Sequence, residues 1–383
     1  MTRRWLRAVP VLWIGVWVLL AASVPAGATT LTWSVVPSPN PGSGYNILNA
    51  VSCTSPAACT AVGYDRAGNP FHNVIESWNG AKWSVVPSPA PPGPAVGLNG
   101  VSCVSAAACV AVGSYGTSSG ASKALIESWN GTSWSVAPSP HPASSSTILY
   151  GVSCISAADC TAVGSYYPLN SGQFQTFVES WNGTKWSVVP SPSPGSEYNA
   201  LSAVSCVSAA ACTAVGSQYE TPTEQRTLAE SWNGATWSVV PSPNRPNGNA
   251  LDGVSCVSAA SCTAVGYHGD RRFSRTLIES WNGATWSLVT SPNPGSDDNN
   301  LYGVSCPSAA ACTAVGKYAT PGVELTLIES WNGTKWSVTH SPSPGTREML
   351  SGVSCASAAT CTAAGSNARN SQTPQATLIE TGR

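Results

Sequence analysis

The chain is poor in charge. Only 9% of its 383 residues are Asp, Glu, Lys or Arg, and the 17 basic and 18 acidic side chains nearly cancel to a formal net charge of -1. It has no run of Lys and Arg, and without one nucleic acid is not an expected partner, because phosphate binding needs a basic patch. Histidine is scarce and scattered, at His72, His141, His268 and His340. A closed zinc site needs four converging ligands, so no metal and no cofactor is expected. Low charge with abundant Gly, Ser, Ala, Thr and Pro could describe a disordered chain. The 16 Trp and the regular Val/Ile runs argue otherwise, since they supply apolar surface that a disordered chain lacks.

The long apolar stretch, Val9 to Val24, follows Arg3, Arg4 and Arg7 and precedes Ala26-Gly27-Ala28. A positive start, an apolar middle and small residues at the end are the layout of a cleaved signal peptide, expected over residues 1–28. An uncleaved anchor is the alternative, and Arg3-Arg4 also fits a twin-arginine export signal. Cleavage removes three Arg and no acid, taking the net charge from -1 to -4. The mature chain is then expected to be secreted or in the cell envelope, monomeric and without a membrane segment.

What the sequence has in abundance is repetition. The triplet Val-Ser-Cys opens at Val51, Val101, Val152, Val204, Val254, Val304 and Val353, at spacings of 49 to 52 residues. Each copy runs on through a second Cys, Ala-Val-Gly or a near variant and a loose segment, and the first six then read Ile-Glu-Ser-Trp-Asn-Gly-x-x-Trp-Ser-Val or a near variant. A period near fifty predicts an all-β, seven-bladed β-propeller with four antiparallel strands per blade. Both faces of such blades pack on neighbours, which suits small and β-branched residues. The single domain would span residues 29–383, with repeats starting near 50, 100, 151, 203, 253, 303 and 352. In the fifth repeat the strands read as A over Leu251–Val257, B over Cys262–Gly266, C over Thr276–Trp281 and D over Trp286–Val289. The seventh repeat stops at Leu378-Ile379-Glu380-Thr381 without a strand D, whereas Thr32–Pro37 is a strand D without a blade. Residues 32–37 are therefore expected to pair with residues 376–381, completing the last blade and closing the ring.

All 14 Cys fall into pairs six residues apart: Cys53/Cys59, Cys103/Cys109, Cys154/Cys160, Cys206/Cys212, Cys256/Cys262, Cys306/Cys312 and Cys355/Cys361. An even count behind an export signal predicts disulfides formed in an oxidising compartment. Asn-Gly sits between two Trp at Asn79, Asn130, Asn182, Asn233, Asn282 and Asn332, and supplies the positive φ values of a tight hairpin between strands C and D. Seven Glu (Glu76, Glu127, Glu179, Glu230, Glu279, Glu329, Glu380) recur in strand C. Presence in every repeat points to a shared structural role, such as accepting hydrogen bonds from an adjacent blade.

Gly-Val-Ser-Cys … Ala-Val-Gly … Glu-Ser-Trp-Asn-Gly-x-x-Trp resembles a kelch repeat, as in the propeller of galactose oxidase, and its hairpin resembles the Asp-box turn of sialidase-type propellers. The resemblance implies the fold. Kelch blades carry a double glycine where this chain has Val265-Gly266, and Asp boxes carry Asp where it has Asn. The copper ligands of galactose oxidase have no counterpart here, so no activity is carried over.

In a propeller the A–B and C–D turns share one face, and here they are nearly identical in every repeat. The B–C and D–A connections share the other face and vary. Loops on a rigid scaffold carry function, so the variable face is the expected binding surface for a glycan or an extracellular protein. All 11 Tyr fall in the variable segments. Tyr64, Tyr115, Tyr166, Tyr219, Tyr267 and Tyr318 follow the strand B glycine within three residues, and Tyr45, Tyr150, Tyr198 and Tyr302 precede or open strand A. These rings either cap blade ends and pack between neighbours, or form an aromatic binding rim. His268, Arg271 and Arg272 in the richest loop are further candidates. An exported glycoside-processing enzyme is the alternative function, although its acids (Glu220, Glu224, Asp270, Glu324) form no motif. A structural envelope protein without a small ligand is the third reading.

Overall fold

The computed structural model describes residues 1–2, 31–66, 71–89, 91, 93, 96–140, 142, 144–169, 172–221, 223–270, 272–370 and 372–383, with the backbone alone for 144 and 145. The expected signal peptide lies outside the described residues, as do His141 and Arg271. Among the described residues the chain forms 28 β-strands, and no helix is long and apolar enough to cross a membrane.

The strands pair in groups of four in sequence order, except that the last group takes the first strand, and single parallel bridges (Ser146 to Ser122, Arg347 to Glu324) join two pairs of neighbouring groups. In the fifth repeat, strand A is Asn249–Ser258, B is Ser261–Asp270, C is Phe273–Trp281 and D is Trp286–Val289. Strands B and C thus run past the limits expected from sequence, and the hairpin between them is tight, with Asp270 opposite Phe273. The glycine taken as the end of strand B has a different cause. A Cβ on Gly266 would lie 2.1 Å from the Ala250 carbonyl oxygen, so glycine is there to admit the strand A backbone and not to turn the chain.

Each repeat buries both faces. Val215 and Ala229 of the fourth pack against Leu251, Val254, Ala264 and Leu277 of the fifth, all at most 9% exposed. Alternation within the strands sends one set of small apolar residues forward and the next set back. Burying both faces in this way removes the polar alternation of a one-sided sheet.

Three features join successive repeats. The Ser of Val-Ser-Cys accepts from the next repeat's Cys backbone N–H, as in Ser205 Oγ to Cys256 N at 3.0 Å. Likewise Cys53 N of the first repeat donates to Ser354 Oγ of the last, at 2.9 Å. The serine after strand D reaches the next repeat's strand C glutamate: Ser191 Oγ donates to Glu230 at 2.6 Å, and Ser38 Oγ to Glu76 at 2.6 Å. Finally, the first strand, Trp33–Val36, lies antiparallel to the last, Ala376–Gly382, with Trp33 opposite Gly382 and Val36 opposite Ile379. The ring of Trp33 is 5% exposed and lies on Gly382, where other repeats place the strand C Trp.

All seven expected disulfides are formed, joining strands A and B with Cα atoms 3.9 to 4.0 Å apart. Seven intramolecular bridges point to an oxidising compartment. The sequence pattern treats the two cysteines of a pair alike, and here the structure differs. The first of each pair, such as Cys53, Cys103 and Cys306, is half-buried on strand A. The second lies on strand B, covered on both sides by strands A and C. Cys59, Cys109, Cys160, Cys212, Cys262, Cys312 and Cys361 are at most 6% exposed and belong to the hydrophobic clusters between repeats. The disulfide assignment thus holds, and the second sulfur of each bridge also fills apolar space between repeats. Threonine hydroxyls of the preceding repeat approach several of them, Thr60 at 3.9 Å from Cys109, Thr263 at 3.9 Å from Cys312 and Thr313 at 3.6 Å from Cys361. Thr362 of the last repeat stands 3.9 Å from Cys59 of the first, whereas the cluster around Cys160 receives Val110 at the equivalent place.

Candidate binding site

Strand A carries a β-bulge at the same place in every repeat. In the fifth, Leu251 pairs with Gly266 and Gly253 with Val265, leaving Asp252 as the extra residue. The corresponding residues are Asn49, Asn99, Tyr150, Ser202, Tyr302 and Ser351. A bulge releases one residue from the ladder and re-aims its side chain. All seven bulge residues line one pocket of about 730 Å³. The residues after the bulge are Gly or Ala because the strands crowd there: a Cβ on Gly352 would lie 3.0 Å from Ala50 Cα.

The pocket is lopsided. Tyr198, Tyr219 and Gln225 of the fourth repeat and Tyr267 of the fifth join Tyr150, Tyr302 and Asp252, whereas the opposite side offers Asn49, Asn99, Met349 and Ser351. The rings of Tyr198 and Tyr219 stand at 89° with centroids 5.5 Å apart, and Phe174 backs Tyr198 at 5.5 Å. Tyr198 and Tyr150 share a hydrogen bond, and Gln225 bonds Tyr267. Asn300 Nδ2 donates to the Tyr302 hydroxyl at 3.3 Å. Burial raises the Tyr198, Tyr267 and Tyr302 hydroxyls above the ordinary tyrosine value, so these phenols stay neutral. Burial alone pushes the Asp252 carboxyl up to about 7. None of the described residues hydrogen-bonds it.

The structure separates the sequence candidates by strand parity. Tyr115, Tyr166 and Tyr318 lie two residues past the strand B glycine and pack on the hydrophobic clusters. Tyr219 and Tyr267, at odd offsets, face the pocket. Tyr64 also has an odd offset, but packs edge-on against Phe71 at 5.7 Å and against Gly97 of the next repeat. His268 and Arg272 lie away from the pocket: His268 pairs with Arg275 in the B–C ladder, its charged form disfavoured chiefly by burial, and Arg272 stacks over Phe273 at 5.5 Å.

The acids named for an enzyme are held in ion pairs. Arg226 lies 2.6 Å from Glu224 and 3.6 Å from Glu220, Arg275 lies 3.6 Å from Asp270, and Lys317 lies 2.7 Å from Glu324. The seven strand C glutamates are fully buried, and each takes a serine hydroxyl from the preceding repeat. Desolvation raises their carboxyls to about 7, and to about 8 in Glu179 and Glu329. They link successive repeats through these serine hydrogen bonds. Among the described residues no group of three His, Cys, Asp or Glu is placed to hold a metal ion.

Sequence reasoning missed Asp252, Asn49, Asn99, Ser202 and Ser351. A signal was present. The segment reads Leu-x-Gly/Ala-Val-Ser-Cys in every repeat, and x alone changes freely: Asn49, Asn99, Tyr150, Ser202, Asp252, Tyr302, Ser351. A variable position inside an otherwise constant stretch marks a side chain freed from the common packing.

No protein-family model and no curated protein sequence matches the chain. Solved structures do match in shape. YCF48 bound to D1 peptide superposes with a TM-score of 0.54 at 11% identity, covering 92% of this chain and 95% of that one. YCF48 from Cyanidioschyzon merolae gives 0.51 at 11%, covering 91% and 98%. The GH74 xyloglucanase from Xanthomonas campestris gives 0.54 at 13%, covering 91% of this chain and 55% of that one. These are β-propellers. At such identities the likeness carries the fold alone, so this chain is a β-propeller by architecture, and its repeats are blades. The narrower likeness to kelch or galactose oxidase is not among these matches.

Proposed function

We propose that the protein is an exported, seven-bladed binding propeller. Its ring is closed by Trp33–Val36 in the last blade, and its axial pocket takes a glycan or protein ligand. The observation that carries this reading is the convergence of seven variable bulge residues, one per blade, on one pocket walled by tyrosines. A pocket of about 730 Å³ lies within the usual range for small-molecule and side-chain sites. Peptide binding has a parallel in YCF48, solved with a D1 peptide. The hydrogen bond from Cys53 to Ser354 supports closure, since it repeats between last and first blade the bond found at other junctions. The seven disulfides support export, and the kelch-like motif remains a resemblance of the repeat.

The test is a glycan and peptide array probed with the mature, oxidised protein beside a Tyr219→Ala/Tyr267→Ala double variant. Selective binding, lost in that variant and kept in Tyr64→Ala, is the expected result. Binding unaffected by the double variant would place the ligand elsewhere.

A second reading, glycoside processing, draws on Asp252 and Glu197, two acids lining the same pocket. A glycosidase needs two carboxyls roughly 5 to 9 Å apart on either side of the bond. Release of reducing sugar, abolished by Asp252→Asn, would establish it.

A further inference from the structure

The chemistry of the axial pocket narrows its ligand. Its described lining includes two carboxyls, Asp252 and Glu197, five Tyr, and no Lys, Arg or His. The base beside Tyr302, Lys317, is taken: its Nζ lies 2.7 Å from Glu324. Asp252 sits in a bulge, released from the ladder, and receives no hydrogen bond from the described residues. Asp252 is half-buried in the pocket wall; a partly desolvated carboxylate without a partner favours a cation, and an anion would be repelled. A neutral sugar would leave the charge uncompensated. The tyrosine walls add to the same polarity, because aromatic faces carry negative potential, and Tyr198 and Tyr219 meet at right angles as two sides of a cage.

We propose that the pocket receives an organic cation, with Asp252 as counter-ion and Tyr150, Tyr198, Tyr219, Tyr267 and Tyr302 as its walls. The cation is either a quaternary ammonium group or the charged head of a Lys or Arg side chain. The inference rests on the pocket being a binding site and adds the class of ligand. Burial lifts the carboxyl to about 7, and an entering cation pulls it back toward the ionised form.

The experiment pairs each cation with its uncharged isostere. Titration calorimetry of the mature protein would compare choline with 3,3-dimethylbutan-1-ol, and the tripeptide Gly-Lys-Gly with Gly-norleucine-Gly, at fixed ionic strength. At least one cation is expected to bind about tenfold or more tighter than its isostere, the size expected of a desolvated cation against aromatic walls. Asp252→Asn should abolish that preference and leave the neutral probe unchanged, while Tyr219→Ala should weaken both. The Asn side chain has the same shape, so folding is preserved, and a circular dichroism spectrum checks it. Which pair shows the preference tells a small quaternary amine from a peptide side chain.

Equal binding of cation and isostere, no binding of either cation, or a preference that survives Asp252→Asn overturns the inference. The outcomes also separate the two levels. A neutral array ligand lost in the Tyr219→Ala/Tyr267→Ala variant keeps the binding pocket and sinks only the cation. Failure of arrays and cations together removes both.

Discussion

At the scale of single residues, the seven buried glutamates set the most direct prediction. Their carboxyls sit at about 7 to 8 in the folded chain against 4.5 in an exposed one, through desolvation that the serine hydrogen bonds only partly offset. Between these values the folded state holds protons that the unfolded state has released. The contribution is therefore fully present below about 4.5 and is lost as pH rises through 7 to 8. A single carboxyl shifted this far is worth roughly 3 to 5 kcal/mol. Melting temperature should fall steadily from pH 5 to pH 9, and Glu279→Gln should flatten the slope by its share. A melting temperature that rises over this range would show the glutamates to be ionised in the fold.

At the scale of strands, the blade depends on short staples. The Cys256–Cys262 bridge joins residues six apart and ties strand A to strand B. Replacing both with Ala should cost about 2 kcal/mol in urea denaturation, with the slope against urea unchanged. The terminal strand works differently. Thr32 N donates to Arg383 O at 2.9 Å, and the Trp33 ring is buried with Leu31, Leu350 and Leu378. Removing residues 31–40 bares the edge of Ala376–Gly382 and the apolar patch beneath it. Such an edge invites pairing with another chain. Size-exclusion chromatography should show the truncated protein as oligomer or aggregate, and a monomer as stable as the parent would refute the structural weight given to this strand.

At the scale of the molecule, constancy and variation divide along the axis. Residues that repeat in every blade (the Cys pairs and the strand C Glu) or in nearly every blade (the Asn-Gly hairpins) hold blades together or join them to one another. Their side chains are already engaged, as when Asn282 Oδ1 accepts from the backbone N–H groups of Ala284 and Thr285 at 2.9 Å. Variation survives at the bulges and at the strand ends that line the pocket, where side chains differ from blade to blade even though Asn49 and Asn99 bond the next blade's backbone at 2.8 Å. The pocket is asymmetric because the fourth and fifth blades supply most of its tyrosines. A near-symmetric scaffold thus carries one asymmetric site.

Much of the architecture was legible in the sequence because it depends on local, repeated chemistry. A period near fifty implied the blade, Asn-Gly between two Trp implied the C–D hairpin, and Cys residues six apart implied a bridge across one strand pair. The stray strand D at Trp33 was legible for the same reason, as a missing piece whose pattern recurs elsewhere. The candidate pocket was not. Tyr115 and Tyr219 both follow a strand B glycine, yet one packs on the core and the other faces the pocket, because one residue of offset reverses the side of the strand. Asp252 gained its place only through a bulge, which depends on how strand A pairs with strand B at Gly266. Sequence alone determined the repeat unit, the bridges and the way the termini meet. Tertiary structure decided which side chains meet at the axis, since that convergence joins residues from separate blades that no local pattern connects.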